Sequence, residues 1–197
     1  YIVTVTDDNG CSAACGFTIS EPTALDITVS GTNVSCNGGS NGTIDVTVAG
    51  GVATYNYLWN DGDTNEDRTG IAAGLYIITV TDANGATSSQ TINITEPSAL
   101  TLNCSKTNIT INGANDGSAC VLASGGSPSY AYLWSNGETT QCIANLAPGA
   151  FTVTVTDNNS CTQTCSVSIT QPAILNIVPV PTNVSCNGGA DGGINVS

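Results

Sequence analysis

The side chains of this 197-residue chain best equipped for chemistry are nine cysteines, and no histidine accompanies them. Clustered cysteines serve either as disulfides or as thiolate ligands. A zinc knuckle needs a Cys-x-x-Cys spacing, which is absent here, so disulfides are the expected use. Such heavy cysteine usage belongs to oxidising, extracytoplasmic settings. A second candidate is Asp61-Gly-Asp63-Thr-Asn65-Glu-Asp67, whose oxygen groups at alternate positions (Asp61, Asp63, Asn65 and Asp67) suggest a calcium loop. Glu66 stands where an EF-hand requires glycine, and the matching stretch Asn136–Cys142 has lost most of the charge. A solvated acidic turn therefore competes with calcium. Without histidine, and with no Ser or Cys nucleophile beside a base, acyl-transfer machinery is missing. The carboxylates fall mostly in turns and at outward strand positions, so a hydrolytic acid pair is not indicated either. The expectation is a protein that is not an enzyme.

Positioning these groups is the work of an internal repeat. Residues 23–97 align without a gap on 98–172, with Trp59 on Trp134, Gly62 on Gly137, Tyr76 on Phe151 and Pro97 on Pro172. The segment 1–22 matches the last third of the unit and 173–197 its first third. Two whole repeats with a partial repeat at each end are expected.

Within a repeat the apolar pattern has period two, the mark of half-buried strands. In Tyr76-Ile-Ile-Thr-Val-Thr-Asp82, positions 76, 78 and 80 face a core and 77, 79 and 81 face out. The turn Asp82-Ala-Asn-Gly85 then signals a hairpin. Further strands are read at Leu25–Val29, Ile44–Val48 and Tyr55–Trp59, with a weaker one at Asp67–Ile71 and Trp59 as core anchor. Helix signals are absent. Six or seven short strands with frequent turns predict an all-β fold of tandem immunoglobulin-like β-sandwich modules, disulfide-stapled. Tyr55, Tyr57, Tyr130 and Tyr132 could stack on sugar rings, although their parity sends some of them inward.

Comparing the copies constrains the cysteine pairing. Cys11 and Cys161 share one repeat position, where Ala86 stands in the middle copy; Cys36 and Cys186 share another, taken by Ile111. Bonding these two sites within a repeat would orphan Cys36 and Cys161. Bonding across the junction, as Cys11–Cys36 and Cys161–Cys186, leaves no orphan and is preferred. Side-chain parity pairs the remainder, since bridged Cβ atoms must approach within about 4.5 Å. Inward Cys104 is matched with inward Cys165, and outward Cys120 with outward Cys142. Cys15 is then assigned a partner outside the chain. The set 11, 15, 36 recurs as 161, 165, 186, which suggests a two-repeat rhythm of crosslinking.

Lys106 and Arg68 are the only basic residues against fifteen acidic ones, giving a net charge of −13. Neutralising phosphates needs clustered Lys and Arg, so nucleic acid and anionic lipid are poor partners. No apolar run reaches membrane-spanning length, so no membrane insertion is expected in this segment.

The strings Val34-Ser-Cys-Asn-Gly-Gly-Ser-Asn-Gly42, Tyr57-Leu-Trp-Asn-Asp-Gly62, Ala73–Gly85 and Ile94-Thr-Glu-Pro97 resemble the SprB-type repeat of Bacteroidota surface proteins. The second copy repeats most of them. Ala86, Ile111 and the extra cysteines at 104, 120, 142 and 165 depart from the pattern. The resemblance implies very large secreted proteins, exported by the type IX system and displayed as surface filaments, some acting as adhesins in gliding motility. The expected function is thus a structural or adhesive segment of a long extracellular filament. Its partners would be other repeats of the same polypeptide, neighbouring copies in a fibre or surface glycans. A carbohydrate- or calcium-binding repeat module is the alternative.

Overall fold

A computed structural model describes residues 1–196. All regular structure among them is strand, sixteen in number, and the chain divides into two compact units, Tyr1–Ala99 and Leu100–Ser197.

The first unit opens with a lone hairpin, β1 (Ile2–Thr6) and β2 (Ser12–Gly16). A sandwich follows, made of β3 (Asp26–Thr32), β4 (Gly42–Ala49), β5 (Asn56–Trp59), β6 (Arg68–Ile71), β7 (Gly74–Thr81) and β8 (Thr87–Ile94). One sheet has the order β3-β4-β6 and the other β5-β7-β8, with every pairing antiparallel. The chain crosses between sheets at each of the β4–β5, β5–β6 and β6–β7 connections. This makes an immunoglobulin-like β-sandwich.

The second unit repeats the plan 75 residues on: β9 (Thr101–Thr107), β10 (Gly117–Ser124), β11 (Ala131–Trp134), β12 (Cys142–Leu146), β13 (Gly149–Thr156) and β14 (Thr162–Ile169), in sheets β12-β10-β9 and β11-β13-β14. It closes with a two-stranded pair, β15 (Pro179–Thr182) and β16 (Gly193–Val196).

Alternation fixes which side chains fill each core. Ile78 and Val80, the inward positions of β7, are fully buried, and so are Val153 and Val155 of β13. Trp59 and Trp134 are each 2% exposed and anchor separate clusters. An indole buried this deeply needs a partner for its N–H. Trp59 Nε1 donates to the Asn65 carbonyl at 2.8 Å, and Trp134 Nε1 to that of Thr140 at 2.9 Å. Each tryptophan therefore also ties down the loop that follows its strand.

Candidate functional site: strand staples and an exit clamp

Both crosslinks expected from parity are present. Cys104 on β9 bonds Cys165 on β14, with Cα atoms 6.5 Å apart, and both residues pack against the core. This bond joins the two sheets at one open side. Cys120 on β10 and Cys142 on β12 stand opposite each other in the antiparallel register and are bonded. Their counterparts in the first repeat, Asp45 and Asp67, sit on the same two strands there. Asp67 Oδ1 accepts from the Val46 amide at 2.9 Å, whereas in the second repeat Val121 N donates to the Gln141 carbonyl at 3.1 Å and the strand starts one residue earlier. The crosslink lets main chain do what a carboxylate does in the other copy.

The two junction bonds are corrected. Cys11 and Cys186 are exposed free thiols, so Cys11–Cys36 and Cys161–Cys186 are not formed; Cys36 and Cys161 themselves are not among the free thiols. Cys11 lies at the turn of the β1–β2 hairpin, and residues 1–24 are exposed throughout. Cys186 lies between β15 and β16, an equally exposed strand pair. A two-stranded hairpin is marginal on its own and has no second sheet to hold a thiol at bonding distance. Cys15, expected to pair outside the chain, is likewise an exposed free thiol.

The calcium reading is also corrected. Asp61, Asp63, Asn65 and Asp67 do not converge on a common point, and no group of three acidic, histidine or cysteine side chains among the described residues could hold a metal. Arg68 is the cation of this loop. Its Nη2 lies 2.7 Å from Asp61 Oδ2 and its Nε 3.4 Å from Asp63 Oδ2, while the guanidinium carbon stands 5.3 Å from the Trp59 ring centroid and 5.7 Å from that of Tyr76. The hydrogen bond from Arg68 holds the Asp61 carboxyl below the usual carboxylate range, and Asp61 in turn raises Arg68. In the second repeat Ile143 takes the place of Arg68 and is 4% exposed. With that cation gone, Asn136 and Glu138 replace the two aspartates.

The tyrosines proposed for sugar stacking pack against the cores. Tyr55 Oη donates to the Gly50 carbonyl at 2.6 Å and Tyr130 Oη to that of Gly125 at 2.7 Å. Burial, together with the Glu66 carboxylate beside it, pushes Tyr57 up to about 12.

Two further devices escape a strand-by-strand reading. The first is a buried carboxylate under each β-hairpin. Asp82 Oδ2 accepts from Val52 N, and its Oδ1 from Asn84 N and Ala86 N, all at 2.8–2.9 Å. Asp157 does the same with Ser127, Asn159 and Cys161. These amides, led by Val52 and Ser127 respectively, hold both carboxyls below their ordinary value. The glycine pair before Val52 is required, because Gly51 has φ +62° and a Cβ there would come within 3.0 Å of Asp82 Oδ2.

The second is an exit clamp. Val34 N donates to the Thr95 carbonyl at 2.9 Å, and Thr95 N to Asn33 Oδ1 at 2.9 Å. Asn37 Nδ2 donates to Glu96 Oε1 and to the Pro97 carbonyl, while Gly38 N donates to Glu96 Oε2 at 2.7 Å. The second repeat keeps the clamp with altered residues: Ile109 N to Thr170 O, Thr170 N to Asn108 Oδ1, Asn112 Nδ2 to Pro172 O and Gly113 N to Gln171 Oε1. The Cys-Asn-Gly-Gly and Ile-Thr-Glu-Pro strings, some sixty residues apart, are thus two halves of one bonded structure. The signal available in the sequence was that both strings persist together in each copy.

Fold and site define a tandem immunoglobulin-like repeat protein whose functional features are crosslinks and clamps. The SprB repeat family matches two stretches of it, residues 28–64 and 104–139, each running from the first strand to just past the tryptophan. Among curated proteins none matches the chain in sequence. Solved structures share the architecture at low identity. The C-terminal 282-residue fragment of intimin, solved with the intimin-binding domain of the translocated intimin receptor, is 16% identical with a TM-score of 0.42, covering 82% of this chain and 67% of that one. The amphioxus IgVJ-C2 molecule is 16% identical with a TM-score of 0.31, covering 77% and 99%. Domains 1–6 of the surface layer protein SbsC are 12% identical with a TM-score of 0.31, covering 91% and 36%.

Proposed function

We propose that this chain is a structural and adhesive segment of a long extracellular filament, carried to the cell surface by the type IX secretion route that SprB-type repeats imply. Its partners in that role are further repeats of the same polypeptide, with neighbouring copies or surface glycans as contacts of the assembled fibre. The observation that carries this reading is the path of the chain through a sandwich. Cys104 lies against Cys165, and five residues further along both strands Ile109 bonds Thr170. β9 and β14 therefore run side by side in the same direction, so the chain enters at one pole and leaves at the other. Such a module suits a string that transmits tension, and its crosslinks suit an oxidising exterior. No enzymatic role enters the proposal. Electron microscopy of the native particle tests it: a thin surface-anchored fibre is expected, and a compact soluble particle would refute it. Carbohydrate binding is the competing reading, and saturable glycan-array binding lost on changing tyrosines would favour it.

A further inference from the structure

We infer that the two repeats answer tension differently: the Cys104–Cys165 bond makes the second an inextensible link, while the first remains an unfoldable one. Tension in a string enters each module through its first strand and leaves through its last. In the second repeat those strands, β9 and β14, are joined covalently with 61 residues between the bonded cysteines. Load passes from Thr101 to Cys104, across the sulfurs to Cys165, and out after Ile169. Everything between the cysteines lies off that path, including the Asn108, Ile109, Asn112 and Gly113 half of the clamp. In the first repeat Val29 and Gln90 occupy the equivalent positions, and no covalent bond spans β3 and β8 there. The same tension shears β3 against β8 and falls on the clamp between Asn33–Gly38 and Thr95–Pro97, so the whole sandwich can unravel when these hydrogen bonds give way. The Cys120–Cys142 bond adds a second closed loop, of 22 residues, inside the locked one. It shields nothing while Cys104–Cys165 holds, and it limits extension if that bond is lost.

The use of such alternation to a cell rests on the filament reading above. The lock itself is tested on the chain alone, so either can fail without the other. The experiment pulls the full chain by its ends in an optical trap. A background of Cys11→Ser, Cys15→Ser, Cys36→Ser, Cys161→Ser and Cys186→Ser leaves only the two bonds within the second repeat, verified by intact mass. At about 3.6 Å per extended residue, the roughly 70 residues of the first sandwich release about 20–25 nm once the folded span is subtracted. The locked repeat can extend only about seven residues, roughly 2.5 nm, which is within its folded span and gives no step. One release of about 20–25 nm is expected. Adding Cys104→Val with Cys165→Gln, the residues of the first repeat, should create a second release. That step should be shortened by the closed 120–142 loop to about 13–16 nm. The reciprocal change, Val29→Cys with Gln90→Cys, should abolish the long step once mass confirms the new bond. A second release from the oxidised, unswapped chain would overturn the inference. So would a long step that survives in the crosslinked reciprocal variant.

Discussion

Replacing Cys104 and Cys165 by Val and Gln, with the rest of the chain unchanged, removes one covalent link and little else, because Val29 and Gln90 already sit at those places in a sandwich of the same plan. The cost follows from the unfolded chain. A bond across 61 residues restricts the denatured ensemble by about 4.3 kcal/mol at 25 °C in the loop-entropy treatment. The nested Cys120–Cys142 bond already removes 22 residues from that loop, so about 40 flexible residues remain to be closed. The dependence is logarithmic, and the figure drops only to about 4 kcal/mol. For a module of this size each kcal/mol moves the midpoint by about 4–8 °C, which places the expected fall at about 15–30 °C. Differential scanning calorimetry reads it directly, since two sandwiches of unequal crosslinking should melt as separable transitions. Only the transition of the second repeat should move, towards that of the first. A fall smaller than about 5 °C would refute the reasoning and mean that denatured chains of this composition gain little freedom when the bond is cut.

Three other outcomes follow from the same geometry. Acid should destabilise both sandwiches: the folded-state pKa values of Asp82 and Asp157 are depressed, so their contribution is present above the unfolded value near 3.8 and lost as pH falls through the lower folded value. In alkali the first sandwich should weaken between about pH 10 and 12, because the raised pKa of Tyr57 means its contribution is complete below 10 and gone above 12; with no histidine, urea midpoints should stay level from about pH 6 to 9. Gly126→Ala should cost about 2 kcal/mol or more, since φ is +59° and the new Cβ would stand 2.4 Å from Asp157 Oδ2, whereas Gly137→Ala, with φ +89° in open space, should cost about 1 kcal/mol; equal losses in chemical denaturation would argue against the clash. Calcium titration of the intact chain should give no heat and no thermal shift, because Arg68 already neutralises Asp61 and Asp63; a saturable isotherm would overturn that assignment.

Strand alternation and the repeat made much of this legible. Ile78, Val80, Val153 and Val155 were readable as core from parity alone, and parity also matched Cys104 with Cys165 and Cys120 with Cys142. What failed were inferences needing a third dimension that alternation does not carry. Cys11 and Cys36 share a repeat logic, but logic cannot supply the missing sheet that would fix a thiol at the tip of an exposed hairpin. Alternate oxygens at 61, 63, 65 and 67 imitate a metal loop, and only the folded return of Arg68 over Trp59 shows where the positive charge comes from. The clamp was invisible for a different reason: Asn37 and Glu96 lie far apart along the chain, and neither belongs to a periodic segment.

The places where the two copies differ are groups that touch, and this bears on what the crosslinks are for. Arg68 goes with Asp61 and Asp63 in one copy, and Ile143 goes with Asn136 and Glu138 in the other; a half-buried guanidinium needs carboxylates and an isoleucine does not. Val29 and Gln90 become cysteines together, and so do Asp45 and Asp67. Unrelated substitutions would not fall so regularly on touching partners. Meanwhile the tryptophan anchor, the hairpin aspartate and the clamp's backbone bonds stay in both copies. The crosslinks were therefore added to a sandwich that already closes without them, since the first repeat buries Trp59, Ile78 and Val80 with no cysteine in its core. A bond unnecessary for folding and set across the two strands that bear the load is better explained by mechanical demand than by stability at rest.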